Sequence, residues 1–242
     1  MVAGRSILIF IKAPVAGFVK TRLTPDLTPA QAAELYKAIA QDTYTVACQM
    51  PDANITVAYE PHKEFPEPGW ITAPHPHPQP LSLIRERVAE GRVRVGLNWF
   101  PQAGKDLGER MGNAVETVFA KNPGPLVVIG SDLPSLTPVL LEKAFGLLRV
   151  APVVLGPSAD GGYYLIGLRE SQSAVFQGIH WSQPTVLGQS IEKLKTLRCD
   201  YKLLPRRLDV DTADDLRRVR ADPALVAVEF RRTMAVLRDL KR

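Results

Sequence analysis

The stretch SILIFIKAPVAGFVKTR, residues 6–22, decides how the rest of the sequence is interpreted. Residues 6–11 form a compact apolar run that is rich in branched side chains, which is typical of a strand buried on both faces of a sheet. The run ends at Lys12-Ala13-Pro14, and a loop with a glycine and further cations follows. The sequence therefore predicts a buried first strand that leads into a positively charged loop at one edge of a sheet.

The same succession of strand, loop and helix recurs along the chain. Thr28-Pro29 and Thr137-Pro138 each combine a helix cap with a first-turn proline, and they predict helices over 28–49 and 137–150. The apolar pattern predicts further helices over 81–90, 109–121, 186–197, 213–220 and 224–240 and strands over 55–59, 92–96, 126–129, 153–155, 163–168 and 201–204. We expect one domain spanning residues 1–242, an α/β fold with a mostly parallel central sheet and helices on both faces. Its chemistry is expected outside the carboxyl ends of the strands.

Composition narrows the function classes. With 45% hydrophobic and 23% charged residues, the 242-residue chain has the composition of a globular protein. It has no apolar run of 18 residues, so we expect a cytoplasmic protein without membrane insertion. It has only two cysteines, so we expect no disulfide framework. The net charge of +5 suits a small phosphorylated substrate as well as a polyanion. No basic and aromatic interleaving accompanies it, so a nucleic-acid partner is not expected.

The loop after the first strand has the chemistry of a phosphate site. Gly17 lets backbone amides approach an anion, and Lys20 and Arg22 can neutralise a diphosphate, with Lys12 close by. The loop lacks both the Walker pattern and the dinucleotide fingerprint, which disfavours an ATPase or a dehydrogenase. An ordinary basic surface loop is the alternative interpretation.

Three aspartates are candidates for charge chemistry. Asp132 follows the strand over 126–129, and Asp211 follows the last strand, so both could ligate Mg²⁺ or Mn²⁺ at the edge of the sheet. Turn or helix-cap roles are the alternatives, and Asp211 or Thr212 could cap the helix near 213. Asp160 precedes two glycines in a segment that is either a hairpin turn or a wide glycine loop. His75-Pro76-His77-Pro78 is not expected to bind metal, because an extended backbone fixed by proline directs the two rings differently.

These stretches occur in an order that resembles the nucleotide-diphospho-sugar transferase superfamily with the Rossmann-like glycosyltransferase A-type fold. More closely, the sequence is similar to a bacterial family of glycosyltransferase-like proteins, some of them assigned to arsenosugar biosynthesis. The resemblance covers nearly the whole chain and is carried by five motifs: IFIKAP with Gly17 and KTRL, DLGERM at 106–111, GSDLP at 130–134, DGGYY at 160–164, and DVDT at 209–212.

The resemblance implies roles for these residues. The loop from Gly17 to Arg22 would hold the phosphates, and the loop of Gln102, Gly104, Asp106 and Gly108 would lie against the base, whose edge could be purine or pyrimidine. Asp132 and Asp211 would ligate Mg²⁺ or Mn²⁺. Lys20 would stabilise the leaving phosphate, and Asp160 would face the acceptor as a general base.

The resemblance leaves two reactions open. Many A-type glycosyltransferases have Asp-x-Asp after the central strand, whereas Gly130 stands two residues before Asp132 here, as in guanylyltransferases of molybdenum-cofactor and phospholactate metabolism. The first expectation is a metal-dependent transferase with a nucleotide-diphospho-sugar donor and a small-molecule acceptor. The alternatives are a nucleotidyltransferase that acts on a small phosphorylated metabolite, and a non-catalytic nucleotide-binding module. The sequence does not specify the oligomeric state.

Overall fold

The computed structural model describes residues 4–71 and 98–240. The helix predicted over 81–90, the strand predicted over 92–96 and the His75-Pro76-His77-Pro78 stretch lie outside the described residues. None of the described helices is both long and apolar enough to cross a bilayer.

A seven-stranded sheet forms the centre of the described structure. Its strands are β1 Arg5–Lys12, β2 Ala53–Glu60, β3 Trp99–Pro101, β4 Leu126–Ile129, β5 Val153–Pro157, β6 Tyr163–Leu168 and β7 Tyr201–Leu203. Their order in the sheet is β3-β2-β1-β4-β6-β5-β7, and all neighbouring strands run parallel except β6, which is antiparallel to both β4 and β5. The predicted mostly parallel sheet is confirmed, and the segment around Asp160 is the connection of a hairpin.

Within the described residues, six α-helices accompany the sheet. They are α1 Pro29–Cys48, α2 Leu107–Lys121, α3 Pro138–Leu148, α4 Val186–Thr196, α5 Ala213–Ala221 and α6 Arg231–Asp239. Thr28, Thr137 and Thr212 each accept a backbone hydrogen bond at the start of α1, α3 and α5, as their sequences predict.

Helices cover both faces of the sheet, because successive residues of its strands point in opposite directions. Ile7, Ile9 and Ile11 pack with α1 and α3 in the larger core. Leu8 packs in a second core on the opposite face, with the apolar side chains of α2. Burial on both faces explains why β1 is a continuous apolar run.

The start of the last helix and one edge strand differ from the prediction. The last helix begins at Arg231 rather than near 224, because Asp222 caps a short 3₁₀ helix over Pro223–Leu225 and Ala227 then donates its backbone N–H to Pro134. The edge strand β3 was not predicted, since three residues are too few to show a period.

Candidate active site

A cavity of about 900 Å³ lies at the carboxyl ends of β1, β2 and β4. Its lining includes six of the residues that the sequence nominates for chemistry or anion binding: Lys12, Lys20, Arg22, Asp132, Asp160 and Asp211. The antiparallel β6 begins at this edge, so the hairpin connection before it contributes to the same cavity. This is the edge of a parallel sheet at which ligands bind in open α/β folds.

Lys20 lies at the centre of the charged part of the cavity. Its Nζ is 2.5 Å from the Oδ1 of Asp132 and 2.9 Å from the Oδ1 of Asp211, and 3% of its side chain is exposed. Burial lowers the pKa of Lys20, but the two carboxylates outweigh burial and hold that pKa above its ordinary value. The structure therefore brings three predicted residues from distant parts of the chain into one ion-paired cluster.

The backbone of Lys20 is left-handed, with φ 50° and ψ 34°. Such a conformation is uncommon for a residue with a Cβ and costs on the order of 1 kcal/mol. It directs the side chain to the two carboxylates while the chain turns into the 3₁₀ helix Thr21–Leu23. Backbone strain of this kind is concentrated at functional sites.

Asp211 faces the cavity because another residue caps the helix that follows it. The side chain of Thr212 accepts from the N–H of Asp215, and the Asp215 carboxylate accepts from the N–H of Thr212 in return. The Oδ2 of Asp211 lies 3.4 Å from a guanidinium nitrogen of Arg22. Burial raises the pKa of Asp211, but Lys20, together with Arg22 and Lys12, outweighs burial and holds that pKa below its ordinary value.

A buried hydroxyl connects the two loops that carry these charges. The Oη of Tyr36 on α1 accepts from the backbone N–H of Lys12 at 2.7 Å and lies 3.0 Å from the Oγ of Ser131. Ser131 directly precedes Asp132, and Tyr36 is 3% exposed. The loop that begins at Lys12 and the loop that carries Asp132 thus share one fixed point at the base of the cavity.

The chemistry of the Asp132 and Asp211 carboxylates fits a divalent cation. Mg²⁺ is usually bound by one or two carboxylates together with substrate phosphates and water. Both carboxylates already bind one cationic group, the Lys20 ammonium. Within residues 4–71 and 98–240, no cluster of three or more His, Cys, Asp or Glu side chains could hold a metal ion. A cation here would therefore need ligands from the substrate and from water as well.

Asp160 lines the same cavity from the connection between β5 and β6. Its Oδ1 accepts from the hydroxyl of Ser158 and from the N–H of Gly162, which fixes the carboxylate in the turn. Gly161 has φ +93° and a Cβ there would lie 2.0 Å from the Pro184 carbonyl oxygen, so this position requires glycine.

Asp209 adds a carboxyl group that the sequence did not single out as a site residue. It lines the cavity, and burial, reinforced by the nearby Asp160 charge, raises its pKa to about 7. It is the fourth aspartate of the described lining, with Asp132, Asp160 and Asp211.

The predicted base loop is divided between lining and structural roles. Gln102 lines the cavity, and its Nε2 donates to the carbonyl oxygens of Ile11 and Ala58, at 3.0 Å each. Asp106 caps α2 by accepting from the N–H of Glu109. Gly104, like Gly17 in the phosphate loop, has a positive φ. Gly17, Gly104, Asp106 and Gly108 are absent from the described lining.

Gly108 makes room for an aromatic side chain that the sequence analysis missed. A Cβ at Gly108 would lie 2.5 Å from the indole Nε1 of Trp181 and 2.7 Å from the carbonyl oxygen of Phe176. Trp181 lines the cavity and meets Tyr163 edge to face, with ring centroids 6.2 Å apart. Because Trp181 belongs to no local motif, only the close approach of two distant segments identifies it.

Two further charged lining residues were also missed. Glu60 ends β2, and its carboxylate lies 2.8 Å from a guanidinium nitrogen of Arg110 on α2 and 3.8 Å from the Nζ of Lys12. Arg110 belongs to a motif that the sequence indicated. Glu60 carried a weaker signal, a single acid at the end of an apolar strand.

Comparison with known proteins places this geometry in a known fold. Over 98% of this chain and 97% of the other, the protein is 29% identical to a "putative nucleotide-diphospho-sugar transferase" from Desulfovibrio desulfuricans G20, with a TM-score of 0.73. This similarity confirms the predicted resemblance and fold class, and it supports the predicted enzyme class, a transferase.

Two more distant structures share the fold. A CMP:2-keto-3-deoxy-manno-octonic acid synthetase in complex with CTP is 14% identical over 91% of this chain and 98% of its own, with a TM-score of 0.50. The 4-diphosphocytidyl-2C-methyl-D-erythritol synthase of Anaerococcus prevotii DSM 20548 is 9% identical over 99% and 96%, with a TM-score of 0.51. No curated protein matches the sequence significantly.

A family model matches residues 43–183, more than half of the chain, and its description is "Uncharacterized protein conserved in bacteria". The match includes the base loop, β4 with Asp132, and the hairpin with Asp160. The chain belongs to this bacterial family, DUF2064.

Proposed function

We propose that the protein is a metal-dependent transferase that uses a nucleotide-diphospho-sugar donor and a small hydroxyl-bearing acceptor. The observation that carries the proposal is the buried Lys20 ammonium between Asp132 and Asp211 at the carboxyl ends of the sheet. The similarity to the D. desulfuricans protein supports a sugar or nucleotidyl transferase. Assignment to arsenosugar biosynthesis stays a prediction.

We call the part of the cavity around Lys12, Lys20 and Arg22 the donor half, and it binds a diphosphate through side-chain charge. Lys12, Lys20 and Arg22 line this half, and charge-assisted hydrogen bonds from ammonium and guanidinium groups are among the strongest that phosphate oxygens accept. The leaving diphosphate gains negative charge as the donor bond breaks, so fixed cations stabilise the transition state more than the ground state. When bound by Asp132 and Asp211, a divalent cation adds Lewis-acid stabilisation of the same charge.

The acceptor half of the cavity favours a neutral hydroxyl compound. Asp160 and Asp209 line the cavity, and we assign the acceptor to them and the donor to the cations of the described lining, Lys12, Lys20, Arg22 and Arg110. A phosphorylated acceptor would meet like charges there. The carboxylate of Asp160 would take the proton of the attacking hydroxyl, which inverting sugar transfer requires.

Nucleotidyl transfer is the second candidate, and one observation favours it. Gly130 stands where many A-type glycosyltransferases have a second aspartate, and no other carboxylate follows β4 directly. A reaction at the α-phosphate would use the same cations and needs no general base when the acceptor is itself a phosphate. The acidic acceptor half argues against such an acceptor.

Calorimetry followed by product analysis tests the proposal. We expect nucleoside diphosphates to bind the full chain in the presence of Mn²⁺ and to bind much more weakly in chelator. With nucleotide-sugars and a panel of neutral acceptors, we expect release of nucleoside diphosphate. Release of pyrophosphate from a nucleoside triphosphate and a sugar phosphate would instead favour the second candidate. If no nucleotide binds, both are wrong.

A further inference from the structure

We infer that the donor carries guanine, because the cavity wall beside the base loop presents hydrogen-bond acceptors that match the adjacent N1–H and N2 amino donors of that base. This inference rests on the proposed function, since it assigns the base of the nucleotide that this cavity would bind. It holds for sugar transfer and nucleotidyl transfer alike.

The first acceptor is the amide oxygen of Gln102. This residue directly follows β3, and its backbone N–H donates to the carbonyl of Tyr59 at 2.9 Å. Its side-chain Nε2 donates to the carbonyls of Ile11 and Ala58, at 3.0 Å each, which uses both amide hydrogens. Because a carbonyl can only accept, these two bonds fix which end of the amide carries the nitrogen. The Oε1 remains, and it can offer a ligand nothing but an acceptor.

The second acceptor is the carboxylate of Glu60. It ends the strand next to β3 and lines the same cavity, with 35% of its side chain exposed. Arg110 holds its Oε1 at 2.8 Å, and the ammonium of Lys12 lies 3.8 Å from its Oε2. An ionised carboxylate has about four lone-pair positions, so these two cations leave acceptor capacity for a ligand.

Arg110 connects this carboxylate to the base loop. Its Nε donates to the carbonyl of Gly104 at 3.4 Å while its guanidinium binds Glu60. Glu60 and the loop of Gln102 are thereby held side by side at the ends of the paired strands β2 and β3. Arg110 and Lys12 also place donors next to the two acceptors.

Guanine is the base whose edges fit this arrangement. It presents two adjacent donors, N1–H and the N2 amino group, while its O6 and N7 accept from Arg or Lys. Adenine and cytosine place an accepting ring nitrogen beside their amino group, and uracil places a carbonyl on each side of its N–H. In all three, an acceptor of the base would face an acceptor of the protein, and an unpaired polar group in a binding site is costly.

Calorimetry with matched nucleotides tests the inference on the full chain. The probes are GDP, IDP, ADP, CDP and UDP with Mn²⁺, and IDP differs from GDP only by lacking the N2 amino group. We expect GDP to bind about tenfold more tightly than IDP, the loss of roughly one charge-assisted hydrogen bond. We expect the same or a larger difference against the other three bases.

The variant Glu60→Gln locates the contact. Its neutral amide replaces one carboxylate oxygen with a donor, so we expect the affinities for GDP and IDP to become nearly equal. Glu67 is an exposed acid shortly after β2 that lines neither described cavity. Glu67→Gln should therefore keep the wild-type difference in affinity between GDP and IDP.

The outcomes are separable. Equal binding of GDP and IDP by the wild type, or tighter binding of any other base, would overturn the inference while leaving the transferase proposal intact. A GDP preference that survives in Glu60→Gln would assign it to other groups and would also contradict the inference. Absence of binding by all five nucleotides would overturn the proposed function itself.

Discussion

The charge balance of the cavity depends on Lys20. It is buried, and a buried charge is stable only when it is paired and hydrogen-bonded. Asp132 and Asp211 provide that pairing, and each comes from a different connection between a strand and a helix. The roles of these two carboxylates can therefore be tested one at a time.

Asp211→Asn should weaken nucleotide binding in the presence of Mn²⁺ by at least about tenfold, because an amide is a poor replacement for a charged oxygen that binds a hard cation. Helix α5 should remain intact, since Thr212 and Asp215 form its cap. Calorimetry with and without Mn²⁺ measures the change.

Asp214→Asn is the matched control for this substitution. Asp214 lies in the first turn of α5, and its side chain is exposed and paired with Arg217. We expect it to bind nucleotide as the wild type does. Unchanged Mn²⁺-dependent binding by Asp211→Asn would refute the metal role of Asp211.

Arg22→Ala should raise the dissociation constant of a nucleoside diphosphate about thirtyfold, the loss of roughly 2 kcal/mol from one charge-assisted phosphate contact. Its effect on folding should be small, because 65% of the Arg22 side chain is exposed and its 3.4 Å contact with Asp211 is screened by solvent. Titration calorimetry and urea unfolding measure the two effects. Arg149→Ala, on an exposed residue just after α3, should change neither nucleotide affinity nor stability. Equal affinity of Arg22→Ala and wild type would mean that the loop of Arg22 is an ordinary surface loop.

At the scale of elements, α2 contains two glycines at which an alanine substitution should have opposite effects on stability. A Cβ at Gly108 would come within 2.5 Å of Trp181 and within 2.7 Å of the Phe176 carbonyl. Gly108→Ala should therefore lower the free energy of unfolding by about 1–3 kcal/mol and displace Trp181 from the cavity wall. Urea unfolding followed by tryptophan fluorescence measures both changes.

Gly112→Ala is the matched control one turn further along α2. The nearest atoms to its Cβ would be at 3.5 Å and 4.0 Å, which is ordinary van der Waals contact. Alanine also stabilises a helix interior by up to about 1 kcal/mol relative to glycine. Gly112→Ala should be neutral or stabilising, and equal destabilisation by the two substitutions would show that the Trp181 contact is unimportant.

Local signals predicted most elements of the described structure and part of its site. Thr28, Thr137 and Thr212 mark helix starts because a cap and its partner lie three residues apart. β1 and β4 are recognisable because burial on both faces makes them continuously apolar. Lys20, Asp132 and Asp211 could be nominated because each follows a strand.

What the sequence did not reveal depends on distant segments. Nothing near Trp181 indicates that it packs against Gly108, 73 positions earlier in the printed sequence. The nitrogen and oxygen of the Gln102 amide can be told apart only because two strand carbonyls accept from the nitrogen. The start of α6 was missed because a contact of Ala227 with Pro134 competes with continued helix.

At the scale of the whole molecule, a buried carboxylate joins α1 to α6. Asp42 is fully buried and accepts from the N–H of Thr233 at 2.8 Å, from its hydroxyl at 2.9 Å, and from Arg232 at 3.1 Å. Both ends of the described chain contribute to this contact. The helix that closes the larger core is thus attached by a polar anchor as well as by Leu237.

Asp42→Asn should lower the free energy of unfolding by about 2–3 kcal/mol, because the amide nitrogen must face one of the donors that the carboxylate now accepts from. Asp239→Asn, on the exposed side of α6, should change it by less than about 0.5 kcal/mol. Chemical denaturation of the two variants and the wild type gives the comparison. Similar stability of all three would mean that the anchor contributes little.

The separation of Lys20 from Asp211 also imposes an order in time during biosynthesis. The two residues are 191 positions apart, and Asp132 lies between them in the sequence. A growing chain presents Lys20 first and its second carboxylate only after 191 further residues have been added. Until then the ammonium lacks half of the charge that allows its burial. The transferase cavity must therefore reach its native charge balance after the first strands and α1 are already available to fold.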